Sequence, residues 1–223
     1  MSNTRLVLIR HGESQVTVKR ILGGPRSCTG LSPLGRQQAE RLRDRFLSSG
    51  EIQPDVIISS RYPRALETAN IVAPGLGSLP VQVDAAWGEH DPGPECDGMK
   101  YADFVARFGH VDWSGDPDGV TFRGGETVAE FSHRVRGAVF KATSQYEGKT
   151  VVVFCHGGVI DASLRRALNV PPVGGFDIYT LNTAITEIVH VGPNKWQLHR
   201  YNDSSHLAGL PASTLIHSES SGK

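Results

Sequence analysis

The sequence predicts an α/β protein whose core is a mainly parallel sheet covered by helices on both faces. Short apolar runs alternate with stretches of helical periodicity, the signature of that architecture. The clearest of these runs, Leu6-Val7-Leu8-Ile9 and Val151-Val152-Val153-Phe154-Cys155, are continuously apolar, as strands buried on both faces must be. A length of 223 residues with ordinary hydrophobic content suits one large domain able to bury a sizeable core.

The elements follow in order. Leu6 to Ile9 is the first strand and runs into Arg10-His11-Gly12-Glu13. Ser32 reads as an N-cap with Pro33 at the first helical position; Leu34, Ala39, Leu42 and Phe46 then recur at helical spacing until Gly50. The segment 55–59 is the next strand. Pro63 opens a helix carrying Leu66, Ala69 and Val72, ended by Pro74-Gly75. A short strand covers Val81 to Val83. Val128, Phe131, Val135, Val139 and Ala142 mark a further helix, which leads through Gly148 into the strand before His156. Ile160, Leu164 and Leu168 mark the last helix, and alternating stretches at 184–191 and 195–201 read as a closing strand pair at a sheet edge.

Two stretches break the alternation. Residues 89–123 mix glycines, prolines, acids and aromatics (Tyr101, Phe104, Phe108, Trp113, Phe122) and read as a lid over one end of the sheet. Residues 207–223 end in Ser-Glu-Ser-Ser-Gly-Lys and are expected to form a disordered tail, leaving 1–206 as a single catalytic domain.

Composition narrows the function classes. Lys plus Arg and Asp plus Glu both number 23, so no global charge draws the chain to nucleic acid or to an anionic membrane. No apolar run approaches the ~20 residues of a membrane span, and the first segment does not resemble a secretion signal. A soluble, cytoplasmic protein is expected. Cys28, Cys96 and Cys155 form no CxxC pair and read as reduced thiols. No pair of histidines has zinc-helix spacing and no GxxxxGK[ST] loop is present, so neither a metal nor a nucleotide cofactor is expected.

What remains is chemistry at strand ends. In open α/β sheets ligands bind at the carboxyl edge, where His11 and His156 each end an apolar run and are each followed by glycine. An imidazole with one unprotonated nitrogen can attack phosphorus, giving a phosphohistidine that water later hydrolyses. Such chemistry needs cations around the phosphoryl group. Arg10 adjoins His11, and Arg64 sits just inside the helix opened by Pro63; a guanidinium meets phosphate oxygens with two parallel hydrogen bonds. The leaving alcohol needs a proton, and Glu89 in Trp87-Gly88-Glu89-His90 is the candidate acid, with His90 and Asp91 as rivals. Glu13 is expected to hold its loop, and His206 to be structural.

These residues lie in motifs that resemble the histidine phosphatase superfamily, in its phosphoglycerate mutase-like branch of cofactor-independent phosphatases. The resemblance runs from Leu6 to Leu207. It rests on Arg10-His11-Gly12-Glu13-Ser14, Leu31-Ser32-x-x-Gly35-x-x-Gln38-Ala39, Ser59-Ser60-x-x-x-Arg64-Ala65-x-x-Thr68-Ala69, Gly124-Gly125-Glu126-Thr127, Cys155-His156-Gly157-Gly158 and Asn182-Thr183-Ala184-Ile185-Thr186. It implies a three-layer α/β/α fold with no metal, His11 as phosphoryl acceptor, Glu89 as proton donor, and Arg10, Arg64 and His156, with Gly157 beside it, as the phosphate pocket.

The chain departs from the family pattern at three places. Thr17 stands where the family often has a phosphate-binding asparagine; Cys28-Thr29-Gly30 replaces the common Asp-x-Pro; and the Gly-x-x-Glu-Gly after the acid is stretched to Gly93-Pro94-Glu95-Cys96-Asp97-Gly98. Mutases of the superfamily carry extra arginines in the lid, whereas this lid holds only Lys100, Arg107 and Arg123. The expected activity is therefore a phosphomonoesterase acting on a small phosphorylated metabolite. A phosphoglycerate mutase-type transfer and a non-catalytic phospho-ligand-binding module are the alternatives. A strand near Ile185, taken as a sheet edge, offers pairing in a homodimer.

Overall fold

The structure is a computed structural model that describes residues 2–214. Six strands form one sheet in the order β3-β2-β4-β1-β5-β6. They are β1 (Thr4–Arg10), β2 (Val56–Ser59), β3 (Val81–Val83), β4 (Thr150–Cys155), β5 (Ile185–Gly192) and β6 (Lys195–Asp203). The pairs β1/β4, β2/β4 and β2/β3 are parallel, and β1/β5 and β5/β6 are antiparallel. The helices are α1 (Gln15–Val18), α2 (Pro33–Ser49), α3 (Pro63–Val72), α4 (Gly93–Cys96), α5 (Tyr101–Phe108), α6 (Val128–Gln145) and α7 (Gly157–Leu168).

The central strands account for the layering. Successive side chains of a strand point to opposite faces, so Leu6, Leu8, Val151 and Val153 pack with α6 and α7 on one side. Val7, Ile9, Val152 and Phe154 pack with α2 and α3 on the other. All eight are fully buried, and each contributes about 1.5–3 kcal/mol relative to exposure. The expected three-layer α/β/α arrangement is what forms.

Local signals set the helix ends. The Ser32 side chain accepts from Gly35 N at 3.0 Å ahead of Pro33, and Gly50 closes α2 at φ 60°. Thr127 and Glu130 make a reciprocal capping box at the start of α6. α3 ends at Val72, just before Pro74-Gly75 as expected, and Pro74 sits inside a following 3₁₀ turn, Ala73–Leu76.

Two expectations change. The strand holding Ile185 is not an edge: β5 is paired on both sides, and the free edges belong to β6 and β3. The tail is fixed through its first residues, because Ser213 Oγ accepts from Gln38 Nε2 at 2.8 Å and Thr214 N donates to Glu13 Oε2 at 2.7 Å. Gln38 and Glu13 are both buried, and Gln38 Oε1 in turn accepts from Glu13 N in the His11 loop. The remainder of the tail, 215–223, lies outside the described residues.

The lid carries structure the sequence did not specify. Cys96, Phe104 and Phe122 form a small core of their own with Leu22, Met99 and Phe108 around it. The lid also clasps the loop 20–27. Asp97 accepts from the backbone N–H groups of Gly24, Arg26 and Ser27 and from Ser27 Oγ, and Leu22 N donates to Met99 O at 2.9 Å. The cover over the sheet is thus two segments joined, not one insertion.

Candidate active site

Register brings the two histidines together. Arg10 pairs with Cys155 across β1 and β4, so His11 and His156 leave the sheet side by side, their ring centroids 5.1 Å apart in an edge-on contact. Ser60, which follows β2, joins them by donating its backbone N–H to Phe154 O. The loop after His11 is held at every step: Asn182 Nδ2 donates to His11 O at 2.8 Å, Gly12 N to Thr68 Oγ1, and Glu13 N to Gln38 Oε1. The buried Glu13 carboxylate accepts from Ser32 Oγ at 2.6 Å, which matches a loop-holding role. Close packing dictates two glycines here. A Cβ on Gly12 would lie 2.5 Å from Gly35 O, and one on Gly35 would lie 2.0 Å from Glu13 O.

One nitrogen of the His11 ring is tied to the backbone and the other faces an arginine. Its Nδ1–H donates to Gly12 O at 2.7 Å, which assigns the tautomer and leaves Nε2 as a lone pair facing Arg64 Nε at 3.1 Å. Burial, then the Arg64 and Arg10 guanidinium groups, hold its pKa well below the usual imidazole value. His11 is therefore neutral at physiological pH. Burial, Arg64 and His11 lower His156 in the same way. The His156 Nε2 pairs with Ser60 Oγ at 2.8 Å while Nδ1 has no hydrogen-bond partner. Its ring lies wholly buried behind His11 and does not line the cleft.

Charge converges on the same spot. Arg64 is buried, donates from Nη1 to Gly23 O at 3.1 Å and lies 4.6 Å over the Tyr62 ring. Arg10 donates from Nη1 to Thr180 O, while its Nε is unpartnered and 3.6 Å from where a Gly157 Cβ would stand. Gly157 also starts α7, and a helix N-terminus is favourable to an anion. Thr17 lines the cleft from the first turn of α1, its hydroxyl 2.8 Å from Ser14 Oγ.

Glu89 faces these groups from the other side of a cavity of about 400 Å³. Its carboxylate accepts from Gly158 N at 3.3 Å and His90 N at 3.0 Å. A Cβ on Gly158 would lie 2.5 Å from Glu89 Oε1, so this glycine makes room for the acid. Of the two rivals, His90 lines the cleft beside Glu89 and Asp91 does not. His90 packs its ring among Trp113, Phe122 and Phe131 at 5.2–5.7 Å, and burial lowers its pKa, while Asp91 accepts from Gly93 N and does not line the cleft.

Sequence reasoning missed the clamp behind Glu89. Arg134 on α6 donates to Ala86 O and Gly88 O at 2.9 Å and to Glu89 O at 3.2 Å, and grips Glu126 with two bonds of 2.6 Å. Glu126 in turn accepts from Asp91 N at 3.0 Å. Arg134 thus ties together both flanks of the acid. The only signal in the chain was an arginine two turns beyond the Gly124-Gly125-Glu126-Thr127 turn, which reads equally well as a solvated helix charge.

Among the described residues no group of three His, Cys, Asp or Glu side chains could hold a metal ion, and no helix is long and apolar enough to cross a membrane.

Comparison with known proteins bears on the family and the fold. Residues 6–204 match the family described as the histidine phosphatase superfamily (branch 1). The chain is 30% identical over 205 residues to phosphoglycerate mutase-like protein 4 of Arabidopsis thaliana, covering 91% of this chain and 86% of that protein. It is 27% identical over 207 residues to the phosphatase PhoE of Bacillus subtilis, covering 93% and 98%. A mycobacterial glucosyl-3-phosphoglycerate phosphatase superposes with a TM-score of 0.74 at 27% identity, over 90% of this chain and 99% of that one. With the two strand-end histidines, the two arginines and this match over nearly its whole length, the chain belongs to the histidine phosphatase superfamily.

Proposed function

We propose that the protein is a phosphomonoesterase that works through a phosphohistidine on His11. The observation that carries this reading is the unprotonated Nε2 of His11, its tautomer set by Gly12 O and its lone pair turned toward Arg64. In the first step Nε2 forms a bond to phosphorus as the ester P–O bond breaks, and the leaving oxygen takes the proton of Glu89. Arg10, Arg64 and the amides opening α7 stabilise charge on the phosphoryl oxygens, while His156, buried edge-on against His11, keeps the attacking ring in place. In the second step water attacks phosphorus, the P–N bond breaks, and Glu89 takes the water proton, so that alcohol and inorganic phosphate are the products.

Hydrolysis is favoured over transfer between two positions of a sugar acid. Lys100, Arg107 and Arg123, the cations of the lid, do not line the cleft; Arg107 pairs with Glu95 at 2.9 Å and Arg123 lies over the Phe108 ring. The test is a phosphate-release assay on a panel of phosphate monoesters, with acid-labile labelled phosphate trapped on the protein. His11→Ala removes both signals under this reading; turnover that survives the substitution refutes it.

A further inference from the structure

The phosphate end occupies only part of the cleft, and the rest of its wall is mainly apolar. Ile21, Leu22, Trp113, Phe122, Phe131 and Ile178 line it, together with the neutral ring of His90. Among the described residues no lysine lines the cleft, and one arginine, Arg165, lines it away from the phosphate end. Each nitrogen of that guanidinium already has a partner: it donates to Asp161 Oδ2 at 2.8 Å, to Pro171 O at 3.3 Å and to Phe176 O. Asp161 and Asp177 also line this wall, and like charges oppose a second anion there.

Resting on the phosphomonoesterase reading, we propose that the leaving alcohol is a bulky, apolar and uncharged group, ring-bearing or branched, and that esters carrying a carboxylate or a second phosphate are selected against. A phosphorylated three-carbon acid would set its carboxylate against aromatic rings and aspartates with no free cation to meet it, and burying an unpaired charge is strongly unfavourable. An aryl-alkyl chain instead displaces water from apolar surface, and even a single methylene in such a pocket is worth roughly tenfold or more in kcat/KM.

The test compares three esters of primary alcohols: ethyl phosphate, 2-phenylethyl phosphate and 3-phosphooxypropanoate. The expected order of kcat/KM is phenylethyl above ethyl by about tenfold or more, with the carboxylate ester lowest. A carboxylate ester as good as the phenylethyl ester overturns the proposal. Trp113 is nearly half exposed, so Trp113→Ala leaves the fold intact and should lower the phenylethyl-to-ethyl ratio several-fold; an unchanged ratio counts against the aromatic wall. Val128→Lys, which adds a cation to the same wall, should narrow the gap to the carboxylate ester. Turnover without preference defeats this inference alone, whereas no turnover of any ester, 4-nitrophenyl phosphate included, defeats the phosphatase reading and this inference with it.

Discussion

The two ends of the cleft are built by opposite means. At the phosphate end, His11, Arg10 and Arg64 sit at strand ends or in the first turn of a helix, and each backbone step around His11 is hydrogen-bonded to a buried partner. At the lid end, the wall comes from loops and short helices around a separate small core, tied to the sheet through Asp97 and the loop 20–27. The first arrangement holds reacting atoms in place, as chemistry on phosphorus requires. The second can change its lining without disturbing the sheet, so it decides which alcohol fits. Glu89 and its Arg134 clamp lie at the junction and share in both.

Substitutions can separate the two ends. The largest effect belongs to His11→Ala, expected to lower kcat on the order of 10⁴-fold for every ester alike; a loss that varied with the alcohol would mean that His11 also selects substrate. Next, Glu89→Gln should cost about 10²–10⁴-fold with alkyl esters and far less with 4-nitrophenyl phosphate, whose leaving group needs no proton. Equal losses with both would remove Glu89 from the acid role.

Arg134→Ala is expected to lower kcat by ~10–100-fold through misplacement of Glu89, with KM little changed and the same dependence on leaving group. A uniform loss across esters would make Arg134 a general structural residue rather than a support for the acid. At the lid end, Phe104→Ala removes a core ring at a cost of about 3–5 kcal/mol. Its effect on amide hydrogen exchange should be confined to the lid and the loop 20–27 joined to it, and leave β1 and β4 protected. Loss of protection in the central strands would show that the lid is not a separate unit.

The smallest effect is on pH dependence. His11 and His156 are held well below the usual imidazole pKa, chiefly by burial, and burial pushes His206 down to about 4. Below about pH 6.5 the unfolded chain protonates these rings while the fold keeps them neutral. The unfolded state then binds more protons, so the thermal midpoint should fall as pH drops from 6.5. The acid limb of kcat/KM should lie well below pH 6.5, because His11 stays unprotonated there; a limb at 6.5 would show that its ring is not shielded as the geometry requires.

The comparison also explains which features could be read from the chain. The strands of the phosphate end were legible because burial on both faces demands unbroken apolar runs, and α2 because Ser32, Pro33 and Gly50 act within a turn of its ends. The residues meeting at the site follow directly from such strand ends. The lid was visible only as a break in periodicity. Its short helices are stabilised by a core that includes Leu22, more than seventy residues from Met99 and Phe104, and no local pattern encodes that pairing. Arg134 was missed for the same reason, since its five hydrogen bonds run to carbonyls and a carboxylate brought near by folding.

The sequence by itself determined the family and the layered α/β architecture and supplied the candidate reacting groups, because strand periodicity, capping residues and contiguous motifs act over a few residues. Tertiary structure alone decided that β5 is an interior strand, that Ser213 and Thr214 brace the His11 loop, that Arg134 holds Glu89, and that the lid's cations turn away from the cleft. Each of these depends on which distant segments pack together, and packing between segments far apart in the chain leaves no period to read.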